Sequence, residues 1–270
     1  MRRERAAILA AGLLLLTVFL LAAAVPQLFT GYEPKQMFRA WLPASGDHWL
    51  GTNALGYDIF TELVYGTRQT LLVGMTSSLL ALLLGTVLGV LSAQRGALAA
   101  LCKGAADLFT LLPRLIALIV LAAFLGSSTR NLILLIAAFG WAGIARGVRA
   151  KVQHLNAQPF IENCVIQGYS RRHIALHHLL PNLQDVLLSR FLLGVNSCIM
   201  MESTLSFLGF GDLYRPTWGT MISFAYQRGA FLRGAYAYLL TPGVCIMLLS
   251  LSFYLISRFL ESKQETISER

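Results

Sequence analysis

Charge is scarce in this sequence. Only 13% of its 270 residues are Asp, Glu, Lys or Arg, and just 13 are acidic. Soluble domains carry about 25% charged residues, so the deficit argues against a large domain surrounded by water. The spacing G-x-x-x-x-G-K-[ST] is missing, and with it the backbone nest, lysine and hydroxyl that hold ATP phosphates and magnesium. G-x-S-x-G, H-E-x-x-H and S-x-x-K are missing too, so no spacing exposes a nucleophile or holds a catalytic zinc, and no catalytic residue is assigned. The four cysteines, Cys102, Cys164, Cys198 and Cys245, form no C-x-x-C pair. That leaves neither a zinc knuckle nor a disulfide framework, and the expectation is four small hydrophobes with no metal site and no cofactor in this chain.

What is abundant is apolar: 56% of the residues are hydrophobic and mean hydropathy is +0.63. That exceeds what one soluble core of this length can hide, so lipid is the expected solvent for much of the surface. A spanning helix needs roughly 20 mainly apolar residues, and six segments qualify: Ala6 to Phe29, Gln69 to Ala93, Ala105 to Leu125, Asn131 to Ala145, Val186 to Phe210 and Ala235 to Leu260. Without water in the bilayer core every backbone polar group must be satisfied internally, so the expected fold class is an all-α integral membrane bundle. The expected division is an anchor helix over 1–30, an outer loop over 31–68, a core of five spans over 69–260 and a tail over 261–270. The fourth segment is short and bounded by Arg130 and Arg146, and Asp58 to Arg68 reads as a short interfacial helix. Gly85 and Gly89, four apart, suit close helix contact.

Net charge is +9. The basic residues sit between apolar segments, where cytoplasmic loops concentrate them, so topology explains the charge better than nucleic acid does. Placing the N-terminal arginines, Arg95, Lys103 and the stretch from Arg146 to Arg172 inside puts both termini in the cytoplasm; Arg215, Arg228 and Arg233 oppose that rule.

The longest inner loop, 146–185, carries the most informative residues. Pro159 opens a short helix, Glu162 favours its positive end, and Gly168 closes it with a left-handed residue. Glu162, Gly168, His178, Pro181 and Asn182 match the signature loop of ABC-importer permeases, which this stretch resembles. Asn163 and Cys164 stand where that family has alanines. The resemblance implies a cytoplasmic coupling helix that docks in a groove of an ATPase subunit, with Glu162, Asn163, Cys164, Gly168, Tyr169 and Ser170 at the contact.

Two further stretches narrow the family. His48-Trp-Leu-Gly51-Thr52-Asn53, continuing to Gly56-Tyr57-Asp58, and Glu202-Ser-Thr-Leu-Ser206-Phe-Leu-Gly209, followed by Pro216-Thr-Trp218-Gly219, resemble the peptide/nickel importer permeases. Asn53 and Tyr57 replace that family's usual Asp and Arg. With weaker likeness around Asp107, Pro113 and Trp141, the resemblance is to the second of the two permeases in such systems. It implies a homologous permease partner, two ATPase subunits that hold ATP and Mg, an external solute-binding protein, and a bacterial inner-membrane location. The implied cargo is small peptides or nickel, free or chelated, with a lean to peptides.

Glu202, with Ser203 and Ser206, has two readings: lining the translocation pathway, or bonding a neighbouring helix. His173, His177 and His178 hold an i, i+4 pair that suits a metal, but a basic loop helix explains them without one. Arg171 and Arg172 suit an acidic ATPase rim or lipid headgroups, and Asp58 and Arg68 suit either an ion pair with each other or anchoring of the interfacial helix. A secondary transporter would show mid-membrane charges and broken helices, and an intramembrane enzyme a catalytic dyad; the sequence supports neither.

Overall fold

A computed structural model describes residues 2–268; the side chains of residues 2–5, 171 and 261–268 lie outside the described set, and with them the charges of the N-terminal arginine cluster and the tail. The chain is a helical bundle, and the all-α reading holds. Helix α1 (Arg2–Ala24) leads through a long connector to α2 (Ile59–Ser92), followed by α3 (Ala97–Leu111), α4 (Arg114–Leu125), α5 (Thr129–Asn156) and α6 (Pro159–Ile166). A single turn, α7 (Arg171–Ile174), runs through wide and tight turns into α8 (Gln184–Leu205); α9 (Trp218–Gln227) and α10 (Tyr236–Ser268) complete the chain.

Five helical stretches are long and apolar enough to cross a bilayer, or six if the bent pair α3 and α4 is one span. The ends of the elements show how the bent pair runs. Ser127 of the α4–α5 turn reaches Gly209 beyond α8, and Thr129 bonds Asp212 at the same end. Thr30 bonds Thr61 at 2.7 Å, and Arg233 lies over the Trp41 ring at 5.1 Å, which joins the first connector to the loop before α10. Residues 93–95 instead share a cavity wall with Ile161 and Ile174 at the opposite end. The α3–α4 pair therefore runs from one end of the bundle to the other, as one bent span would, and the start of α1 and the end of α10 lie at the same end.

Three expected boundaries are corrected. The segment read as one span over 105–125 is bent by 90°. Pro113 has no N–H to donate, and it forces Leu112 to extended ψ 132°, so the helix must stop and restart. The span bounded by Arg130 and Arg146 is a 28-residue helix containing both, because long basic side chains reach polar surroundings without breaking the backbone. The interfacial helix at 58–68 is the first turns of α2: Asp58 accepts from the Thr61 N–H at 2.7 Å, and nothing interrupts the helix until Ser92.

Helix α2 is the centre of the bundle. On one side, a Cβ on Gly85 would lie 2.8 Å from the Trp141 carbonyl of α5, and one on Gly89 2.8 Å from the Ala145 carbonyl, so the two backbones touch as the spacing predicts. On the other, a Cβ on Gly194 of α8 would press on Ser78, whose hydroxyl donates to the Phe191 carbonyl at 3.0 Å. The short α9 is wedged among α1, α2 and α8. Its buried Trp218 donates its indole N–H to the Leu63 carbonyl at 2.9 Å and meets Phe19 edge-on.

Candidate functional site

The short helix α6 is built as its residues dictate. Pro159 occupies the first turn with Glu162 beside it. At the other end Gly168 takes φ +80°, its N–H donates to the Val165 carbonyl, and the Tyr169 N–H reaches back to the Cys164 carbonyl at 3.1 Å. This pair of bonds is a left-handed C-cap. Ile161 and Cys164 point inward, into a cluster with Val148, Val152 and Leu155 of α5 and Ile174, Leu179 and Leu183. Glu162, Asn163, Gly168, Tyr169 and Ser170 are exposed; Cys164 is buried, so it belongs to the anchoring face and not the outward one. Sequence reading missed the outward apolar residues: Phe160, Val165 and Ile166 are exposed, Ile166 to 76%. Their signal was present as apolar residues out of phase with the buried pair. An apolar face on a helix beyond the membrane spans marks a contact surface.

The histidines after α6 stack instead of converging. The His173 and His177 rings lie 4.2 Å apart and nearly parallel, and Tyr169 stacks on His173 at 4.8 Å. Among the described residues no group of three His, Cys, Asp or Glu side chains is placed to hold a metal ion. Arg172 is exposed, while the Arg171 side chain lies outside the described residues.

Glu202 is fully buried in α8. Its Oε1 accepts from Ser206 Oγ at 2.6 Å and Thr217 Oγ1 at 2.7 Å, and Oε2 from Ser203 Oγ at 3.4 Å. Thr217 also caps α9, exchanging bonds with Thr220. The structure therefore puts Glu202, Ser203 and Ser206 inside the subunit, where they tie α8 to α9, and favours the structural of the two readings. A family model described as the inner membrane component of binding-protein-dependent transport systems matches residues 85–266, from mid-α2 through α6 and α8 into α10. The chain belongs to this permease family.

Its relatives agree. The dipeptide transport system permease protein DppC of Alkalihalophilus pseudofirmus is 34% identical over 91% of this chain and 81% of its own. The oligopeptide transport system permease protein OppC of Bacillus subtilis is 31% identical over 78% of this chain and 71% of its own, and that of Mycobacterium bovis 33% over 77% and 73%. Permeases of this family are transport subunits of the inner membrane that work with ATPases and a binding protein.

The permease's first connector folds around a buried pair. Asp58 meets His48 Nδ1 at 2.9 Å, not Arg68, which is exposed; of the two readings, Asp58 anchors the helix start, turning inward to cap α2, and makes no ion pair with Arg68. Phe38 packs edge-on against His48 at 4.6 Å. Asn53 donates to Glu62 Oε2 at 2.7 Å and accepts from the Leu55 and Tyr57 N–H groups. With Asn53 the contact to Glu62 is made by a neutral amide N–H. Asp212, at the same end, is pushed up by partial burial, but the Thr129 hydroxyl and N–H and the N–H groups of Tyr214 and Arg215 outweigh this and hold it below the usual carboxylate value.

Proposed function

We propose that this chain is one of two permease subunits of an ATP-driven importer of small peptides, oriented with both termini and α6 in the cytoplasm. The observation behind this reading is α6: a capped helix with one face anchored on α5 and an apolar face exposed outside the spans. An ATPase groove is the expected occupant of that face. Glu162, Asn163, Gly168, Tyr169 and Ser170 then stand at the contact, with Cys164 beneath it. ATP and Mg bind the partner ATPases, and a solute-binding protein delivers cargo to the far end.

Coupling follows from the packing. A displacement of α6 moves Ile161 and Cys164 against Val152 and Leu155, and α5 transmits it to α2 through the Gly85 and Gly89 contact, where the backbones leave no slack. Rocking α2 and α5 switches access between the two sides. Peptides are favoured over nickel because the relatives named above are dipeptide and oligopeptide permeases.

The test is uptake of labelled dipeptide and labelled nickel by cells with and without the gene. Gene-dependent dipeptide uptake that Gly168→Asp abolishes, in a complex that still assembles, is the expected result. Nickel uptake alone would overturn the peptide reading, and uptake unaffected by Gly168→Asp would overturn the coupling role of α6.

A further inference from the structure

The break at Pro113 sets a partly exposed cation against the flank of α5 and α8. Arg114, the first residue of α4, extends between α5 and α8: its Nη2 donates to the Ile136 carbonyl at 3.3 Å and its Nη1 approaches Ser197 Oγ at 3.4 Å. Its Nε is buried without a hydrogen-bond partner, and among the described residues no carboxylate lies within 4 Å of the guanidinium.

Depth follows from the helical rise. Ile136 is seven residues from Thr129 and Ser197 twelve from Gly209, so the guanidinium lies about 10 to 18 Å from that end, well inside a layer about 30 Å thick. An arginine there is costly in lipid unless it faces protein or water, and such residues mark substrate pathways or subunit contacts.

The surface beside it carries polar side chains among apolar ones such as Ile116 and Met200. Along α8 the uncovered side chains include Arg190, Ser197 and Met200, with Thr204 half-buried one turn on, and the buried Asn196 Oδ1 has no partner. The polar members of this surface are better served by protein or water than by lipid. Arg114 also stands at the start of α4, where unsatisfied backbone N–H groups add positive potential to the guanidinium.

Resting on the peptide-importer reading, we infer that Arg114, with Ser197, is a station of the translocation pathway that receives the C-terminal carboxylate of the passing peptide. The guanidinium offers donors without acceptors; besides the neighbouring Cys198 thiol, its two bonds to oxygen are long, so a carboxylate improves on both. Every peptide with a free C-terminus carries that group whatever its side chains, so one cation serves many sequences.

The experiment uses the complete complex with its binding protein in proteoliposomes. Uptake of a labelled dipeptide and of its C-terminal amide is measured for the parent, Arg114→Gln and Arg114→Lys, each expressed relative to the parent on the same substrate, so that selection by the binding protein cancels. The expected result is a loss of about tenfold or more for the free dipeptide in Arg114→Gln, partial retention in Arg114→Lys, and no comparable loss for the amide.

A parallel fall for both substrates would overturn the inference and point to a neighbouring subunit's carboxylate as the partner; no fall for either would overturn it outright. Independently, Ser197→Cys should react with a water-soluble thiol reagent, above the parent's background, and be protected by dipeptide during turnover. Failure to react places the site off the aqueous path and defeats the proposal. A parent complex that carries no peptide at all defeats the peptide-importer reading instead.

Discussion

Glu202 shows what a buried carboxylate demands of its surroundings. Three hydroxyls converge on it, from Ser203, Ser206 and Thr217, and removing it leaves them without their acceptor. Glu202→Leu should destabilise the purified complex by about 1 to 3 kcal/mol for each hydroxyl left unsatisfied, whereas Glu202→Gln keeps an acceptor oxygen and should cost less. Thermal unfolding of the two variants in detergent checks the order; equal losses would refute it. Asp212 supplies a pH test. Its folded-state pKa lies below the ordinary 3.8, so its bonds to Thr129 stabilise the fold above that value and are lost as pH falls through the lower folded pKa. Stability curves of the parent and Asp212→Asn should therefore differ at neutral pH and converge in strong acid. A gap that widens on acidification would contradict the sign. The sequence showed Glu202 as an intramembrane carboxylate but not its use, because its partner Thr217 lies fifteen residues away on another element.

At the scale of helices, the bundle depends on how near α2 comes to its neighbours. Gly85→Leu or Gly89→Leu should separate α2 from α5 and reduce assembled complex, since the added carbons meet the Trp141 or Ala145 backbone and neither can move aside. Gly104→Leu, at a position with open space around it, is the matched control, and the yield of intact complex in membranes is the measurement. The GxxxG spacing was legible because it is local. The bend between α3 and α4 was half-legible: Pro113 was visible, but an apolar run on both sides read as one span. Proline guarantees a defect in a helix and leaves its angle to the neighbours. The two ends of α6 were readable in full, because Pro159 and Gly168 act through their own backbone geometry. Its outward apolar face was not, since periodicity alone does not say which side α5 covers.

The whole molecule is one part of a larger assembly, with an apolar face on α6 at one end and exposed polar side chains such as Ser197 along α8. Replacing Val165 and Ile166 together by Asp should leave the bundle folded, because both side chains are exposed, while uncoupling transport from ATP hydrolysis. Retained uptake would show that the face is not used; loss of the folded subunit would show that it is part of the core. From sequence alone came the helical class, the family resemblance and the position of the short helix α6. Each rests on apolar run length, on backbone preferences of proline and glycine, or on residues close together in the chain. Tertiary structure alone decided that Asp58 serves His48, that Cys164 faces inward, that Glu202 is enclosed, and that Arg114 lies against α5 and α8 with no carboxylate beside it among the described residues. Those outcomes depend on which residues distant in sequence meet across helix faces, and run length and local preference contain no information about the rotation of one helix against another.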